Sequence, residues 1–429
     1  MLDVKLIREQ PELVKAGALK KRFPDRVAVI DRVLDLDRRA RELIPQIDNL
    51  RAEQKSAGKH MGKLSDAERE TYLAAQRELK TRLQALEEQQ KVLQAELDVQ
   101  LLLVPQVPDA EVPEGKDDTE NVEVRRVGEV RAPGFALRAH DDLAEAQGWL
   151  DVKRASELSG SRNYMLFGDL ALLHDAVLRF AVDHMVKKGF IAVDPPLLVR
   201  KPAMVGTAFF PGGEEQAYTC EKDELFLIGT AEVPVTSIHG DQILDEAQLP
   251  KLYVGRSACF RREAGTYGRD TKGFYRVHQF HKVEQVVIDV ADPARSRAHH
   301  EAITRNSEEL LQALELPYRV VAVCGGDLGV PQAMKYDIET WMPSRNAYGE
   351  THSASRFYDF QSRRLNMRYR RAADKKVAFC HTLNNTVVAS PRILIPLLEV
   401  HQRADGTVWI PPVLRPYLYG RETLGKPLA

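Results

Sequence analysis

Two long heptad repeats near the N-terminus constrain the fold of this chain more than any other feature. Mostly apolar residues recur in steps of four and three over Val29–Ala57 and again over Tyr72–Leu97. This spacing gives each helix one apolar stripe, and two such stripes pack as a coiled coil. Gly58 and Gly62 separate the two segments, so the pattern predicts an antiparallel helical hairpin at about residues 29–101. Taken alone, the repeats also fit a coiled coil that joins two copies of the chain.

The chain is long enough for two domains, with 429 residues. A Pro-rich and acidic stretch follows the repeats and predicts a linker at 106–120, after an N-terminal domain at 1–105. The remaining residues, 121–429, read as a mixed α/β domain. Because 61 Lys and Arg nearly balance 62 Asp and Glu, any surface that binds nucleic acid must be a local basic patch. Lys55, Lys59 and Lys63 form such a cluster near the hairpin turn, although a solvated turn has the same composition.

The four cysteines are too scattered for a CxxC metal pair or a secreted disulfide framework. The N-terminus lacks the apolar core of a signal peptide, and no apolar run is long enough to cross a bilayer. We therefore expect a cytoplasmic protein with reduced thiols and no membrane span.

The stretch 256–285 contains two extended runs, at 258–262 and 276–284, joined by a glycine-rich loop. Because side chains alternate along a strand, Phe280 and Glu284 share one face. An antiparallel pairing of the runs would add Arg261 and Glu263 to that face. A guanidinium binds phosphate, a ring stacks on a base and carboxylates accept from amines. The stretch alone also fits a solvated, charged hairpin.

Three other segments carry chemistry. Thr230-Ala231-Glu232 follows an apolar strand, where the hydroxyl and carboxylate fit either a ligand pocket or a helix cap. The segment 348–355, YGETHSAS, follows a strand and a turn. Finally, a strand leads through Ser390-Pro391 to Arg392 and an apolar helix.

A helix at 169–187, the break at Gly189, a strand at 190–193 and two prolines complete the pattern. In this order, the segments resemble motifs 1, 2 and 3 of the class II aminoacyl-tRNA synthetases. The segment FRREAGTYGRDTKGFYRVHQFHKVE closely resembles the corresponding segment of the seryl-tRNA synthetase family of bacterial type. The resemblance covers about nine tenths of the chain and implies an α+β fold, with a mainly antiparallel sheet flanked by helices and an N-terminal antiparallel coiled-coil hairpin.

The resemblance also implies a function, that of a serine–tRNA ligase. Such an enzyme activates L-serine with ATP and Mg²⁺ to seryl-adenylate and transfers the seryl group to the 3′ end of tRNA(Ser). The family further implies a homodimer formed through motif 1, use of tRNA(Sec), and a hairpin that binds tRNA.

Site residues follow from the matching positions. The implied ATP contacts are Arg261, Arg262, Glu263, Arg276, Val277, Phe280, Glu350, Thr351, His352, Ser353 and Arg392. The implied serine contacts are Thr230, Ala231, Glu232, Arg261, Glu284, Asn384 and Thr386. Arg261 and Arg392 are the expected catalytic residues, on the α-phosphate and the γ-phosphate. Glu350 and Ser353 are the expected Mg²⁺ ligands.

The chain departs from the family pattern at Gly349, where an arginine commonly precedes the glutamate. A nearby arginine such as Arg356 would compensate, or a polar contact beside the nucleotide is lost. Two other functions share these motifs: a ligase that loads an amino acid onto a carrier protein, and a non-catalytic paralogue. The first has no need of the long hairpin, and the second would lose Arg261, Glu263 or Arg392, all of which are present.

Overall fold

The computed structural model describes residues 1–57, 66–130, 132, 134–265 and 273–428. The chain forms two compact units, Met1–Val107 and Pro108–Ala429. Lys59 and Lys63 of the predicted basic tip lie outside the described residues.

The first unit is helical. Its helices are α1 (Val4–Glu9), α2 (Pro11–Lys20), α3 (Arg26–Ala57) and α4 (Asp66–Leu101). α1 and α2 are separate helices although only one residue lies between them. Gln10 leaves helical geometry (φ −135°, ψ 56°), because Pro11 disfavours a helical residue before it and itself begins the next helix.

The predicted heptad stripe is buried between α3 and α4. Six of its α3 members are at most 8% exposed, Val33, Leu36, Ala40, Leu43, Ile47 and Leu50, whereas Val29 is half-buried and Gln54 is exposed. Charged pairs flank this seam: Arg32 Nε lies 2.9 Å from Glu96 Oε1, and Arg51 Nη2 lies 2.8 Å from Glu87 Oε1. Since the later α3 residue pairs with the earlier α4 residue, the two helices run antiparallel. The prediction of an antiparallel coiled coil within one chain is confirmed.

The second unit combines helices with strands. Its helices are α5 (His140–Ala146), α6 (Val152–Ser159), α7 (Gly168–Lys187), α8 (Lys201–Gly206), α9 (Glu232–Thr236), α10 (Pro293–Ala313), α11 (Phe360–Arg364) and α12 (Leu394–Val400). The strands up to the central hairpin are β1 (Val122–Val127), β2 (Ile191–Val193), β3 (Leu198–Arg200), β4 (Thr219–Cys220), β5 (Leu225–Leu227), β6 (Ile243–Asp245), β7 (Lys251–Phe260) and β8 (Gln279–Asp289). The later strands are β9 (Tyr318–Ala322), β10 (Met334–Met342), β11 (Ala347–Tyr358), β12 (Arg368–Arg370), β13 (Val377–Phe379), β14 (His381–Ser390), β15 (Val408–Trp409) and β16 (Thr423–Leu424).

Eight of the described strands form one sheet, in the order β1-β9-β10-β11-β14-β8-β7-β2. All neighbours in it are antiparallel except β2 and β7. The apolar core contains buried residues of α7, α10, β8, β14 and α12. The structure thus confirms the predicted antiparallel sheet flanked by helices.

The central hairpin is longer than the sequence suggested. The strands of this hairpin run over Lys251–Phe260 and Gln279–Asp289, so Arg261 and Arg276 lie just beyond the strand ends. β8 continues past Glu284 because its last eight residues are nearly all buried. A strand covered on both faces loses the alternation of polar and apolar residues by which its end is predicted.

Candidate active site

One face of the large sheet collects several of the side chains that the sequence singled out. The register pairs Glu284 of β8 with Thr386 of β14, and Cys259 of β7 with Phe280 of β8. Residues two apart on a strand share a face, so Phe280, Lys282 and Glu284 project together. Asn384 stands two residues before Thr386 and belongs to the same surface. We call this surface the active face.

Glu284 is the centre of one end of the active face. It is 2% exposed, and its Oε2 accepts from the hydroxyls of Thr230, at 3.4 Å, and Thr386, at 3.5 Å. Lys282 Nζ forms an ion pair with the same oxygen. Buried carboxylates need such partners because desolvation of the charge is costly. The arrangement is a small polar pocket that presents one carboxylate and two hydroxyls.

Asn384 adds an amide to this pocket. It is 5% exposed, and its Nδ2 has no hydrogen-bond partner among the described residues. A buried donor without a partner is costly, so this group is suited to meeting a ligand acceptor.

Glu232 provides a second carboxylate beside the first. Its Oε1 accepts from Gln361 Nε2 at 2.8 Å. Burial and the nearby Glu284 charge raise the pKa of Glu232 to about 7, although Lys282 opposes the shift. An ammonium group bound here would favour the ionised form of this carboxyl.

The Thr230 hydroxyl makes two hydrogen bonds, one to the start of α9 and one to Glu284. Its Oγ1 accepts from the backbone N–H of Glu232 at 3.1 Å, at the start of α9, while the same hydroxyl donates to Glu284. Ala231 is fully buried and packs near Gly255 of β7, where a Cβ would approach Ala231 Cβ to 3.1 Å. The close approach of α9 to β7 therefore depends on that glycine.

The other end of the active face carries a guanidinium and a ring. The Arg261 guanidinium lies 5.2 Å from the centre of the Phe280 ring, a cation–π contact. Arg261 Nε donates to the Gly229 carbonyl at 3.3 Å, and its backbone N–H donates to the His278 carbonyl at 2.9 Å. These contacts hold Arg261 over the active face although β7 has already ended.

Glu263 and Arg276 pair with each other beyond the strand ends. Arg276 Nη1 lies 2.7 Å from Glu263 Oε2, and Glu263 has left strand geometry with a φ of 52°. Arg262, between Arg261 and Glu263, is exposed. Val277 is 7% exposed and its side chain packs in the apolar core.

A β-bulge brings Glu350 and Ser353 onto the active face together. Residues three apart on a regular strand face opposite ways. On β11, however, His352 pairs with Ile338 and Glu350 pairs with Glu339, which leaves Thr351 as an extra residue between them. One inserted residue restores the common orientation.

The side chains of Thr351 and His352 are buried in the protein interior. The Thr351 hydroxyl hydrogen-bonds to the Thr340 hydroxyl at 2.6 Å and to His352 Nδ1 at 2.8 Å. Burial lowers the pKa of His352 to about 4, so the ring is neutral. Both side chains brace the bulge, and they lie off the active face.

Arg392 lies beside Glu350. Its Nη1 donates to the Glu350 carbonyl at 3.0 Å and lies 3.7 Å from Glu350 Oε2, while its Nε donates to the Tyr275 carbonyl at 3.1 Å. Desolvation raises the pKa of Glu350, but Arg392, Lys335 and Arg261 outweigh it, and the net pKa lies below the ordinary value. Glu350 is therefore ionised at neutral pH.

The suggested compensation by Arg356 for the glycine at 349 is wrong. Arg356 is 2% exposed, and its guanidinium pairs with Asp109, at 3.0 Å from Nε, and with Glu111. Its position on β11, three residues after Ser353 with no bulge between them, places it on the opposite face. A Cβ at Gly349 would lie 3.3 Å from the Tyr275 ring, and the arginine found at that ring besides Arg392 is Arg345, 4.5 Å from its centre.

The sequence interpretation missed Lys282, Gln361 and a buried pair on β10, Lys335 with Asp337. Lys335 Nζ lies 3.0 Å from Asp337 Oδ2. Burial and the charge of Glu350 raise the pKa of Asp337. Lys282 could have been predicted from the sequence, because the period-2 pattern places its side chain between those of Phe280 and Glu284 on the same face. Gln361 and the β10 pair reach the site only through tertiary packing.

The donors near Glu350 are oxygens, which suit a hard cation such as Mg²⁺. Among the described residues, no group of three His, Cys, Asp or Glu side chains is arranged to hold a metal. A magnesium ion here would need most of its ligands from phosphate oxygens and water, as is usual for this ion. The residues present therefore fit a nucleotide-bound Mg²⁺.

Lys55 is exposed near the end of α3. No helix in the part of the chain that the structure describes is long and apolar enough to cross a membrane.

Comparison with known families matches both units. A family described as tRNA synthetase class II core domain (G, H, P, S and T) matches residues 218–401, and one described as seryl-tRNA synthetase N-terminal domain matches residues 1–108. A serine–tRNA ligase of Deinococcus radiodurans is 46% identical over 100% of both chains. One from Thermomicrobium roseum is 42% identical over 99% of this chain and 95% of the relative.

Solved structures agree. Seryl-tRNA synthetase from Pyrococcus horikoshii, complexed with ATP, superposes with a TM-score of 0.95 at 42% identity and covers 100% of both chains. The cytoplasmic serine–tRNA ligase of Naegleria fowleri, in complex with AMP, gives a TM-score of 0.89 at 32% identity over 99% of each chain.

The antiparallel sheet and its active face thus define a class II aminoacyl-tRNA synthetase. Within that class, the chain belongs to the seryl-tRNA synthetase family, whose members are ATP-dependent serine–tRNA ligases. The function predicted from the sequence is confirmed, and the comparisons favour it over a carrier-protein ligase or a non-catalytic paralogue.

Proposed function

We propose that this ligase activates L-serine with ATP on the active face and transfers the seryl group to the 3′ end of tRNA(Ser). The observation that carries the proposal is the order of side chains along β8. Phe280, Lys282 and Glu284 project from one face at steps of about 7 Å. A nucleotide base at Phe280 and a hydroxylated amino acid at Glu284 would therefore place their reacting groups between the two.

The Glu284 end selects the amino acid. Glu284 accepts a hydrogen bond from the serine hydroxyl, and Thr386 and Asn384 complete the contacts to that side chain. Glu232 and the Thr230–Ala231 backbone bind the ammonium group. Support comes from the hydrogen bonds of Glu284 with Thr230 and Thr386 and from Asn384 Nδ2, which has no hydrogen-bond partner in the part of the chain that the structure describes.

The Phe280 end holds ATP. The adenine stacks on Phe280 and donates its amine to Glu263, which Arg276 orients. Arg261 grips the α-phosphate with its planar fork, and Arg392 the γ-phosphate. Arg262 lies at the exposed rim. The backbone of Val277 borders the base, while Thr351 and His352 hold the bulge that presents Glu350 and Ser353.

The chemistry consists of positioning and charge stabilisation. The serine carboxylate attacks the α-phosphorus, the bond to the bridging oxygen breaks, and pyrophosphate leaves with that electron pair. Since the carboxylate is already ionised, this step needs no general base. In the second step the terminal ribose hydroxyl of the tRNA attacks the seryl carbonyl and AMP leaves. Arg261 stabilises the charge that develops at the α-phosphate, as preorganised donors do.

Glu350 and Ser353 would hold Mg²⁺ with the nucleotide. When bound, the ion neutralises phosphate charge and orients the leaving pyrophosphate. The low pKa of Glu350 keeps its carboxylate ready for a cation.

We assign tRNA binding to an N-terminal domain at 1–105, joined by a linker at 106–120 to a catalytic domain at 121–429. The long α3–α4 hairpin would contact phosphates of the tRNA through a basic tip at Lys55, Lys59 and Lys63. Each phosphate contact contributes to a salt-dependent affinity. By the same surface the enzyme would accept tRNA(Sec), and serylation of a tRNA(Sec) transcript tests that extension.

A homodimer would form through α7 and β2. β2 ends the described sheet with β7 as its neighbour, and Ile191 on it is 58% exposed. An open strand edge with exposed apolar residues invites pairing with another chain. Light scattering by the intact chain tests this, because a monomeric mass would exclude the homodimer.

The four cysteines are free thiols, which supports a cytoplasmic location. Cell fractionation tests this location.

Transfer of labelled serine to a tRNA(Ser) transcript tests the proposed function. We expect ATP-dependent transfer by the wild-type chain and a loss of at least about 10²-fold for Glu284→Gln, because the amide loses the negative charge and one of the two acceptor oxygens and leaves Lys282 without its counter-charge. Wild-type protein that fails to charge the transcript would overturn the proposal. Normal activity of Glu284→Gln would move serine recognition elsewhere.

A further inference from the structure

Asp337 on β10 has a buried carboxylate oxygen without a partner. The side chain is 6% exposed, and its Oδ1 has no hydrogen-bond partner among the described residues. Its other oxygen, Oδ2, receives Lys335 Nζ at 3.0 Å. Leaving a carboxylate oxygen buried and unpaired costs stability. The ion pair with Lys335 gives Asp337 Oδ2 a partner, but it does not explain why Oδ1 is buried without one among the described residues.

The strand register places this oxygen next to the proposed cation site. Asp337 pairs directly with Ser353 of β11, and Glu339, two residues further on the same face, pairs with Glu350. The bulge at Thr351 is what puts Ser353 and Glu350 on that face together. Asp337 is thus the nearest β10 neighbour of Ser353 on the active face, within electrostatic reach of Glu350.

Other acidic groups nearby are already engaged. Glu339 Oε2 accepts from Arg319 Nε at 2.6 Å, and Asp327 Oδ2 accepts from Asn121 Nδ2 at 3.0 Å. Each of these two carboxylates has a hydrogen-bonded oxygen, but on this part of the face it is Asp337 Oδ1 that is buried with no hydrogen-bond partner among the described residues.

We propose that Asp337 is a third protein donor of the divalent-cation site, with its Oδ1 binding the metal directly or accepting from a metal-bound water. This inference rests on the proposed role of Glu350 and Ser353 in holding Mg²⁺. Two carboxylates, one hydroxyl and phosphate oxygens form a shell of the hard oxygen donors that Mg²⁺ prefers. Lys335 orients Asp337 through Oδ2, as outer partners orient metal ligands.

The test measures how strongly Mg²⁺ tightens binding of a non-hydrolysable ATP analogue, AMPPCP, by calorimetry with EDTA or with saturating Mg²⁺. The ratio of the AMPPCP dissociation constant in EDTA to that in saturating Mg²⁺ measures how strongly metal binding and nucleotide binding favour each other. We expect Asp337→Asn to lower this ratio at least about tenfold while affinity in EDTA stays within about twofold, since loss of a supporting ligand typically costs 10–100-fold in metal affinity.

Three further variants separate the explanations. Asp289→Asn is the matched control, because Asp289 is equally buried, pairs with Arg295 at 2.9 Å and faces the other side of the sheet; its ratio should not change. Adding Lys335→Met to Asp337→Asn removes the charge left unpaired. If the ratio then returns to the wild-type value, Asp337 acts only as the counter-charge of Lys335 and the inference is overturned.

Glu350→Gln tests the underlying assignment. A reduced ratio for Glu350→Gln with a normal ratio for Asp337→Asn overturns the inference and leaves the metal site in place. A normal ratio for Glu350→Gln overturns the metal site itself. Reduced ratios in Glu350→Gln, Asp337→Asn and the double variant support both.

Discussion

The Glu232 carboxyl, in the proposed serine pocket, has a pKa above its ordinary value. Burial and the neighbouring Glu284 raise its pKa to about 7. A raised carboxyl pKa means that the folded state holds an extra proton between the ordinary pKa and about 7, so its contribution to the unfolding free energy falls as pH rises through that range. Serine binding has the opposite preference, because an ammonium group stabilises the ionised carboxylate.

This predicts a pH-dependent affinity for serine. A group with a pKa of about 7 is about tenfold more ionised at pH 8 than at pH 6, so KM for serine in pyrophosphate exchange should fall by about that factor over this range. Glu232→Gln should bind serine weakly at both pH values and show a flat profile. A wild-type KM that does not change between pH 6 and pH 8 would remove Glu232 from ammonium binding.

Arg261 gives a second prediction at this scale. Arg261→Lys keeps the charge and loses the planar fork, so serine-dependent pyrophosphate exchange should fall at least about 10²-fold, or ~2.7 kcal/mol of transition-state stabilisation. Arg256→Lys is the control: Arg256 lies on β7, five residues before Arg261 and on the opposite face, and pairs with Asp175 at 2.5 Å. Equal effects of both variants would mean that Arg261 supports the fold and does not contact the substrate.

Individual residues also show which features of the candidate site can be predicted from the sequence. The period-2 pattern of β8 correctly placed Phe280 and Glu284 on one face, because side-chain alternation is a property of any strand. It could not reveal that Glu350 and Ser353 share a face, since that depends on an inserted residue whose place is set by pairing with β10. Nor could it show that Glu263 turns to a positive φ and pairs with Arg276.

At the scale of elements, the heptad repeat was the most reliable signal. A helix of 32 residues that buries one stripe needs the same spacing along its whole length, so the pattern is long and redundant. Strand ends were harder to predict. β8 is buried on both faces after Lys282, and the alternation that marks a strand disappears there.

Two isoleucines of α3 test the seam. Ile47 is 2% exposed within the stripe, whereas Ile44 is 44% exposed outside it. Ile47→Ala should lower the opening free energy of α3 and α4 by about 2–5 kcal/mol, and Ile44→Ala should change it by at most about 0.5 kcal/mol. Hydrogen exchange followed by mass spectrometry on the intact chain measures both. Equal losses of protection would show that the seam does not stabilise the hairpin.

At the scale of the whole molecule, we propose that each of the two units carries one task. The proposed ATP and serine contacts all lie in Pro108–Ala429, whereas the hairpin lies in Met1–Val107. Composition predicted two domains, because the acidic, Pro-rich stretch interrupts the heptads.

Removing the hairpin should separate the two reaction steps. Replacing Val33–Leu97 by a short Gly/Ser bridge should leave serine-dependent pyrophosphate exchange within about threefold of wild type, because no substrate contact is lost. Aminoacylation should collapse through weaker tRNA binding, since the phosphate contacts of the arm are gone. Equal loss of both steps would instead make the hairpin a structural support of the catalytic unit.

The most direct test of the central claim is pyrophosphate exchange by the intact chain with each of the twenty amino acids. A pocket built on Glu284 and Thr386 to hydrogen-bond a hydroxyl should reject alanine by about 10⁴-fold or more, because the buried partners would be left unpaired. Threonine carries the hydroxyl and must be excluded by lack of room for its methyl group. We predict exchange with serine and at least about 10²-fold less with every other amino acid. Exchange with alanine, threonine or any other amino acid within about tenfold of serine would contradict the account.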